Sequence, residues 1–215
     1  AVYEQYNPVD YSKLSSSNNW VDTLSYSDLD DSKGLFMQAY LANDYALAEK
    51  SLDKLMDVLN AARDDFMSSN KADIQNLLTA DGLIPGVRYQ EKGYLKAAIA
   101  YDMIGLKSKA ENALAQAAVY ADYLPAEFVK PKSYAAIGAL HTKIGNSTEA
   151  EDFFNKAAAV TTFASSNDYV DANHYLGIAY DAVYMQHPNM VNIVKTNLTK
   201  ARLYAANIHN AAAVD

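Results

Sequence analysis

Residues 133–160 read SYAAIGALHTKIGNSTEAEDFFNKAAAV, a pattern typical of two consecutive helices. In its first half, small and apolar side chains recur at a helical spacing of three, four and seven residues, at Tyr134, Ile137, Gly138 and His141. Gly145-Asn146 interrupts the pattern, and a second helical face follows at Ala150, Phe153, Phe154, Ala157 and Ala158. Two amphipathic helices joined by about three residues pack side by side in opposite directions, so we predict an antiparallel helical hairpin.

The spacing within this hairpin matches a known repeat. Tyr134-x2-Ile137-Gly138-x2-His141, followed by Ala150-x3-Phe154 and Ala157, resembles the tetratricopeptide repeat (TPR). Small residues stand at Gly138 and Ala150, where the two helices of such a repeat cross closely. The resemblance therefore implies that large side chains such as Tyr134 and Phe154 fill the space between one hairpin and the next.

Further copies of the pattern follow along the chain. Forty residues upstream, a complete copy is formed by Tyr94-x2-Ala97-Ala98-x2-Tyr101, then Gly105, Ala110, Leu114 and Ala117. Half copies are found at Leu176-Gly177-x2-Tyr180 and at Ala48-x3-Leu52 with Leu55. Terminal repeats are expected to be atypical. We therefore predict an all-α fold, a right-handed superhelical stack of about four antiparallel helix pairs, which is a TPR-like α-solenoid.

The predicted organisation has three parts. Residues 1–27 are polar and contain Pro8 and a Ser/Asn cluster, so we predict an irregular N-terminal segment. The helical repeat domain covers residues 28–210, with an insertion at 69–88, and residues 211–215 form a C-terminal tail. The predicted helices cover residues 28–42, 43–68, 89–104, 107–122, 132–144, 146–163, 168–186 and 189–210, with a short helix at 72–79 in the insertion.

Composition and charge exclude several classes of protein. The net charge of −8 and the pI near 4.9 argue against nucleic acids and anionic membranes as partners. No apolar run approaches the roughly 20 residues of a membrane-spanning helix. The chain has no cysteine, which excludes disulfides, zinc ribbons and thiol nucleophiles.

Composition also suggests a location. The 17 tyrosines, together with many Ser and Asn residues, favour an extracytoplasmic protein, whether periplasmic, secreted or surface-attached. No signal peptide is visible, and the chain begins at Ala1. We therefore expect that a leader or an initiator methionine has been removed.

The sequence contains no pattern typical of catalysis or of cofactor binding. There is no GxSxG, no phosphate-binding loop and no GxGxxG. Asp171 and His174 share one helical face, but two ligands do not make a metal site, so we predict a surface pair. His141 lies on the packing face and is predicted to be a core histidine. We predict no catalytic residue, no metal and no cofactor, and we predict that the chain is not an enzyme.

The TPR resemblance implies a binding surface, because in that family the first helix of each pair lines a concave groove for peptides or proteins. Lys33 is an isolated match to the residues with which some members hold a C-terminal carboxylate. The other corresponding positions are apolar or aromatic, and they are Met37, Tyr40, Leu41, Leu95, Ile99, Met103, Ala135, Ala139, His174 and Ile178. We therefore predict a non-enzymatic scaffold or adaptor that binds a protein or peptide in this groove.

Two alternatives stay open at this point. The chain could instead be a structural subunit that assembles into a homo-oligomer or filament through end-to-end stacking, which the alanine-rich last helix favours. The groove itself could be covered, because Leu95, Ile99 and Met103 form a second apolar face on their helix. Either residues 69–88 or the N-terminal segment with Trp20 folds over that face, or a partner occupies it.

Overall fold

The computed structural model describes residues 35–68, 85–124, 130–160 and 168–212, and every regular element in these ranges is an α-helix. The helices are α1 (Leu35–Leu41), α2 (Tyr45–Ser68), α3 (Pro85–Met103), α4 (Lys107–Tyr123), α5 (Lys130–Lys143), α6 (Ser147–Ala159), α7 (Asp168–Tyr184) and α8 (Met190–Ala212). The predicted all-α class is confirmed. None of these helices has the length and apolar character needed to cross a bilayer. The predicted segments at 1–27 and 72–79, and most of the tail at 211–215, lie outside the described residues.

The chain divides into two compact units. The first covers residues 1–120 and contains α1, α2, α3 and most of α4. Within it, α1 packs against α2, and α2 packs against α3. The second unit covers residues 121–215 and contains α5 to α8. Here α5 packs against α6 and α7 against α8, while α7 also contacts both helices of the preceding pair.

Four short turns join the helices in pairs, and all four have the same backbone geometry. Each contains one residue in the left-handed region, namely Asn43 (φ 56°), Gly105 (φ 77°), Gly145 (φ 85°) and Gln186 (φ 55°). The next N–H then donates to the carbonyl five residues earlier, as in the bond from Asn146 to His141 (2.8 Å) and that from His187 to Ala182 (2.9 Å). This is a Schellman ending, which satisfies carbonyls that a helix end would otherwise leave unpaired.

The turns align the pairs with one another. The left-handed residues at 105, 145 and 186 are separated by 40 and then by 41 residues. The two predicted packing faces, which begin at Tyr94 and Tyr134, are buried in full. The positions that align with them on α7 are also buried, and they are Tyr175, Ile178, Ala179 and Ala182. Three first helices therefore bury the same pattern of positions.

The half copy predicted at Leu176-Gly177-x2-Tyr180 is wrong, because the matching packing positions of α7 lie two residues later. Leu176 and Tyr180 are exposed, and a Cβ placed on Gly177 would meet nothing within 4 Å. The small residue at the helix contact is Ala179, which aligns with Gly138. The glycine at 177 matched the pattern by chance, since an exposed helical position places no demand on side-chain size.

The helix ends explain smaller differences from the prediction. Asp44 caps α2, because its carboxylate accepts a hydrogen bond from the Leu47 N–H (3.0 Å). Helix α3 begins at Pro85, four residues earlier than predicted, since proline is well suited to the first helical position, where its missing N–H leaves no bond unmade. Helix α6 ends at Ala159 because Val160 is extended.

Candidate protein-binding surface

The ten predicted groove residues fall into two groups in the structure. On the first unit, Leu41 of α1 is exposed, and five others are half-buried, namely Met37, Tyr40, Leu95, Ile99 and Met103. On the second unit the four remaining residues are buried, and they are Ala135, Ala139, His174 and Ile178. The structure thus leaves surface at the α1 and α3 positions and little at those of α5 and α7.

His174 and Ile178 belong to the packing face of α7, which corrects their assignment to a groove. The Nε2 atom of His174 lies 2.9 Å from the backbone carbonyl oxygen of Ala157 on α6, and Ile178 is completely buried. Burial lowers the pKa of His174, because the charged imidazolium loses hydration in the helix interface. A partner has no access to either side chain in the folded chain.

Correcting the register identifies the residues that occupy the outer positions of α7. On α3 and α5, the predicted groove residues, which are the outer positions, directly follow packing residues. Leu95 follows Tyr94, and Ala135 follows Tyr134. The same rule applied to Tyr175 and Ala179 gives Leu176 and Tyr180. The sequence contained this alternative match, since Tyr175-x2-Ile178-Ala179-x2-Ala182 has the same spacing as the first two copies.

Leu176, Tyr180 and Tyr184 form an exposed row along α7, which we call the α7 stripe. Their exposed fractions are 45%, 65% and 68%. The rings of Tyr180 and Tyr184 stack with centroids 5.7 Å apart and an interplanar angle of 16°. Large apolar side chains so exposed on one helix face are typical of contact surfaces for other macromolecules.

The first unit carries aromatic surface of its own near the α1–α2 turn. The ring of Tyr40 stacks between those of Phe36 (6.1 Å) and Tyr45 (5.9 Å), beside the exposed Leu41. Residues 69–88, one of the two segments that could cover Leu95, Ile99 and Met103 on α3, lie mostly outside the described residues. The part from residue 85 onward is helical and belongs to α3.

A polar network on the first unit ties three helices together. The Nζ of Lys109 on α4 lies 2.7 Å from Asp53 Oδ1 and 2.7 Å from Glu49 Oε1, both on α2. The Tyr101 hydroxyl on α3 donates to the same Asp53 oxygen at 2.7 Å. Burial, together with the bond to Asp53, raises the pKa of Tyr101. One ammonium group lies between two carboxylates, and all of these partners belong to packed helices, so the network is a structural contact between helices.

Two further titratable side chains on the second unit, His141 and Asp171, are buried in the helix packing. His141 is buried and stacks on Phe153 with ring centroids 5.5 Å apart, so the prediction of a core position is confirmed. Asp171 is buried as well, which corrects the predicted surface pair with His174. Burial, and to a lesser extent Asp168, raises the pKa of Asp171. Across the described ranges, no three His, Asp or Glu side chains converge as metal ligands would.

One surface depression of about 470 Å³ lies along α6. It is lined by Glu149, Asp152, Phe153, Asn155, Lys156 and Ala159. The Lys156 Nζ covers one wall, 4.8 Å from the centre of the Phe153 ring. Because all six residues belong to one helix, the depression lacks the enclosing walls that ligand sites have.

Comparisons with known proteins supply no family for the chain: no protein-family model matches it, and no similar curated protein or solved structure is found.

Proposed function

We propose that the chain is a non-enzymatic interaction module that binds a protein or peptide partner through the α7 stripe. The observation that carries this proposal is the exposure of Leu176, Tyr180 and Tyr184 at the helix positions that become equivalent once the pairs are aligned on their turns. A few residues carry most of the binding free energy at protein interfaces, and tyrosine is enriched among them. A rigid helix also presents them with little loss of conformational entropy on binding.

We further propose that the helix pairs form a right-handed, TPR-like superhelical stack. The packing positions recur after 40 and then 41 residues, and the first helix of each pair has a Schellman ending. Both features support this arrangement. Small-angle X-ray scattering is the test. A radius of gyration near the roughly 17 Å of a globular protein of this length would argue against a stack.

The partner that fits the α7 stripe is an amphipathic helix or an extended segment with large apolar side chains. The stripe has a leucine at one end and two stacked tyrosines at the other, with no charge among the three. Apolar anchors spaced along a helix or a strand bind such rows, and tyrosine hydroxyls at the rim stay hydrated. We expect the partner's anchors to recur every three or four residues if it is helical.

Selection from a random peptide library tests the proposal without knowledge of the natural partner. Peptides that bind the wild-type chain should be rich in aromatic and aliphatic residues, and Tyr180→Asp should weaken their binding at least tenfold. Leu203→Asp is the matched control, because Leu203 is equally exposed (66%) but lies on α8. If the two variants bind the selected peptides equally well, the α7 stripe is not the binding surface.

A further inference from the structure

The surface of α5 and α6 that receives the last helix pair is defined by a set of contacts. His187, in the α7–α8 turn, is buried, and its Nδ1 accepts the Asn189 N–H (2.9 Å), so Nε2 carries the proton and donates to the Ser147 carbonyl oxygen (2.9 Å). The Asn189 side-chain amide donates to Glu151 Oε1 at 2.9 Å. Ser147 and Glu151 are therefore positions at which α6 contacts the pair that follows it.

The equivalent positions on the last pair are apolar. In the first turn of α6 the Ala150 N–H donates to the Asn146 carbonyl oxygen, and in the first turn of α8 the Ile193 N–H donates to that of Asn189. When the helices are aligned on these two bonds, each residue of α8 comes 43 positions after its counterpart on α6. Ser147 and Glu151 therefore correspond to Met190 and Val194. On α7, Val183 corresponds to the buried Thr142, yet it is exposed.

Two further exposed residues, Val191 and Leu198, extend this surface along α8. We call the surface formed by Met190, Val191, Val194 and Leu198 the α8 edge. Val191 (72% exposed) and Leu198 are seven residues apart and so share a helix face, next to Met190 and Val194. Lys195 and Arg202 continue the same face, since Lys195 lies four residues after Val191 and Arg202 lies four residues after Leu198. The last pair thus presents an apolar surface with a basic border where the preceding pair is covered by helices.

Charge favours one occupant for this edge. Helix α8 contains Lys195, Lys200 and Arg202 and no Asp or Glu, a formal charge of +3, in a chain whose net charge is −8. Residues 1–68 contain twelve Asp and Glu against five Lys and Arg, a formal charge of −7. Two α8 edges facing each other would bring like charges together, whereas an α8 edge facing residues 1–68 of another molecule joins opposite charges.

We propose that the α8 edge binds a second copy of this chain, through the acidic first part of that copy. The edge continues the contact by which one helix pair packs on the next, so a helix pair of the same kind fits it. Because the two contacting surfaces differ, each bound copy exposes a new α8 edge, and the contact generates open chains or closed rings of more than two molecules. This inference does not depend on the α7 stripe.

Sedimentation velocity of the full chain, from low micromolar to submillimolar concentration, tests the inference. In low salt, the wild type should grow beyond a dimer as its concentration rises. Raising the ionic strength should weaken growth, because salt screens charges over about 10 Å at 0.1 M. Wild type that stays monomeric throughout, or that stops at a dimer, would overturn the proposal.

Variants locate the contact. Val191→Asp and the double variant Lys195→Glu with Arg202→Glu should each shift assembly to at least tenfold higher concentration, whereas Leu203→Asp, with similar exposure elsewhere on α8, should assemble like wild type. The charge-reversal variant keeps the test valid if Val191→Asp does not fold. Assembly unaffected by both would also overturn the proposal. Peptide binding that depends on Tyr180, in a chain that never assembles, would show that this inference fails while the proposed function stands.

Discussion

Gly138 on α5 lies so close to α6 that a Cβ added to it would stand 3.0 Å from the carbonyl oxygen of Ala150. The ring of Phe154 would lie 3.1 Å from the added Cβ. The backbone oxygen has no freedom to rotate away, so the helices would have to separate slightly. This contact is the reason why the smallest residue stands at the centre of the hairpin at 133–160.

Replacing glycine by alanine should have opposite effects at two helical positions. Alanine is the better helix former by about 1 kcal/mol, so Gly177→Ala, at an open position, should stabilise the chain by up to about that amount. Gly138→Ala should destabilise it by about 1 kcal/mol, and Gly138→Leu by about 3 kcal/mol, because the crossing is overpacked. Urea unfolding of the three variants measures this. Equal effects at 138 and 177 would contradict the register.

Lys109 should matter more for stability than Lys107, although the two lie on the same helix. Lys109 contacts Asp53 and Glu49 at 2.7 Å, and its removal leaves two carboxylates close together. Lys107 makes one long contact with Glu111, at 3.8 Å. We expect Lys109→Met to cost about 1 kcal/mol, less at high salt, and Lys107→Met to cost almost nothing. Thermal unfolding at low and high ionic strength compares them, and equal costs would argue against the network.

His187→Phe should destabilise the second unit by about 2–3 kcal/mol. Phenylalanine keeps most of the buried volume next to Phe154, whose ring meets that of His187 edge-on with centroids 6.0 Å apart. It loses the bonds to Ser147 and Asn189, and buried polar groups left unpaired are costly. Chemical unfolding measures the loss. A variant as stable as wild type would show that the turn does not hold the last pair on α6.

Asp181 should make stability fall as the pH rises. Burial raises the pKa of Asp181 from its ordinary value of 3.8 to about 6. Since the folded pKa is the higher one, this group favours the folded state fully below about pH 3.8, and that contribution is lost as the pH rises through 6.

Asp181→Asn isolates this effect, because the difference between variant and wild type cancels the other titrating groups. One unit of pKa difference corresponds to about 1.4 kcal/mol, and the partly exposed carboxyl keeps some hydration. We therefore expect asparagine to stabilise the chain by about 1–2 kcal/mol at pH 7.5, and by much less near pH 4. A stability difference that is constant with pH would contradict the assignment.

The sequence was sufficient for the elements that carry regular packing. The helical spacing of small and apolar residues, which begins at Tyr94 in one copy and at Tyr134 in the next, predicted the all-α class. Gly105 and Gly145 were readable as turns, since a left-handed backbone position favours glycine. The sequence narrowed the cap of α2 to Asn43 or Asp44, because the side-chain oxygens of Asn and Asp accept N–H groups at a helix start. The structure shows that Asp44 is the cap.

The last pair could not be aligned from the sequence. The left-handed residue in its turn is Gln186, so no glycine marks the turn in the sequence. The turn is then two residues longer than at 145, and α8 begins after His187 and Pro188. Gly177 and Tyr180 meanwhile imitated the repeat at exposed positions. Only the buried state of Ile178 and Ala179 separates the two registers, and burial depends on contacts with other helices.

The unfolding midpoints of Ile178→Asp and Tyr180→Asp test most directly whether the α7 stripe faces outward. Ile178 is completely buried, so a charge there should lower the free energy of unfolding by several kcal/mol. Tyr180 is 65% exposed, so aspartate there should change the free energy of unfolding by less than about 0.5 kcal/mol. The opposite order, with Tyr180→Asp unfolding the chain and Ile178→Asp tolerated, would contradict the register of α7 and the binding surface built on it.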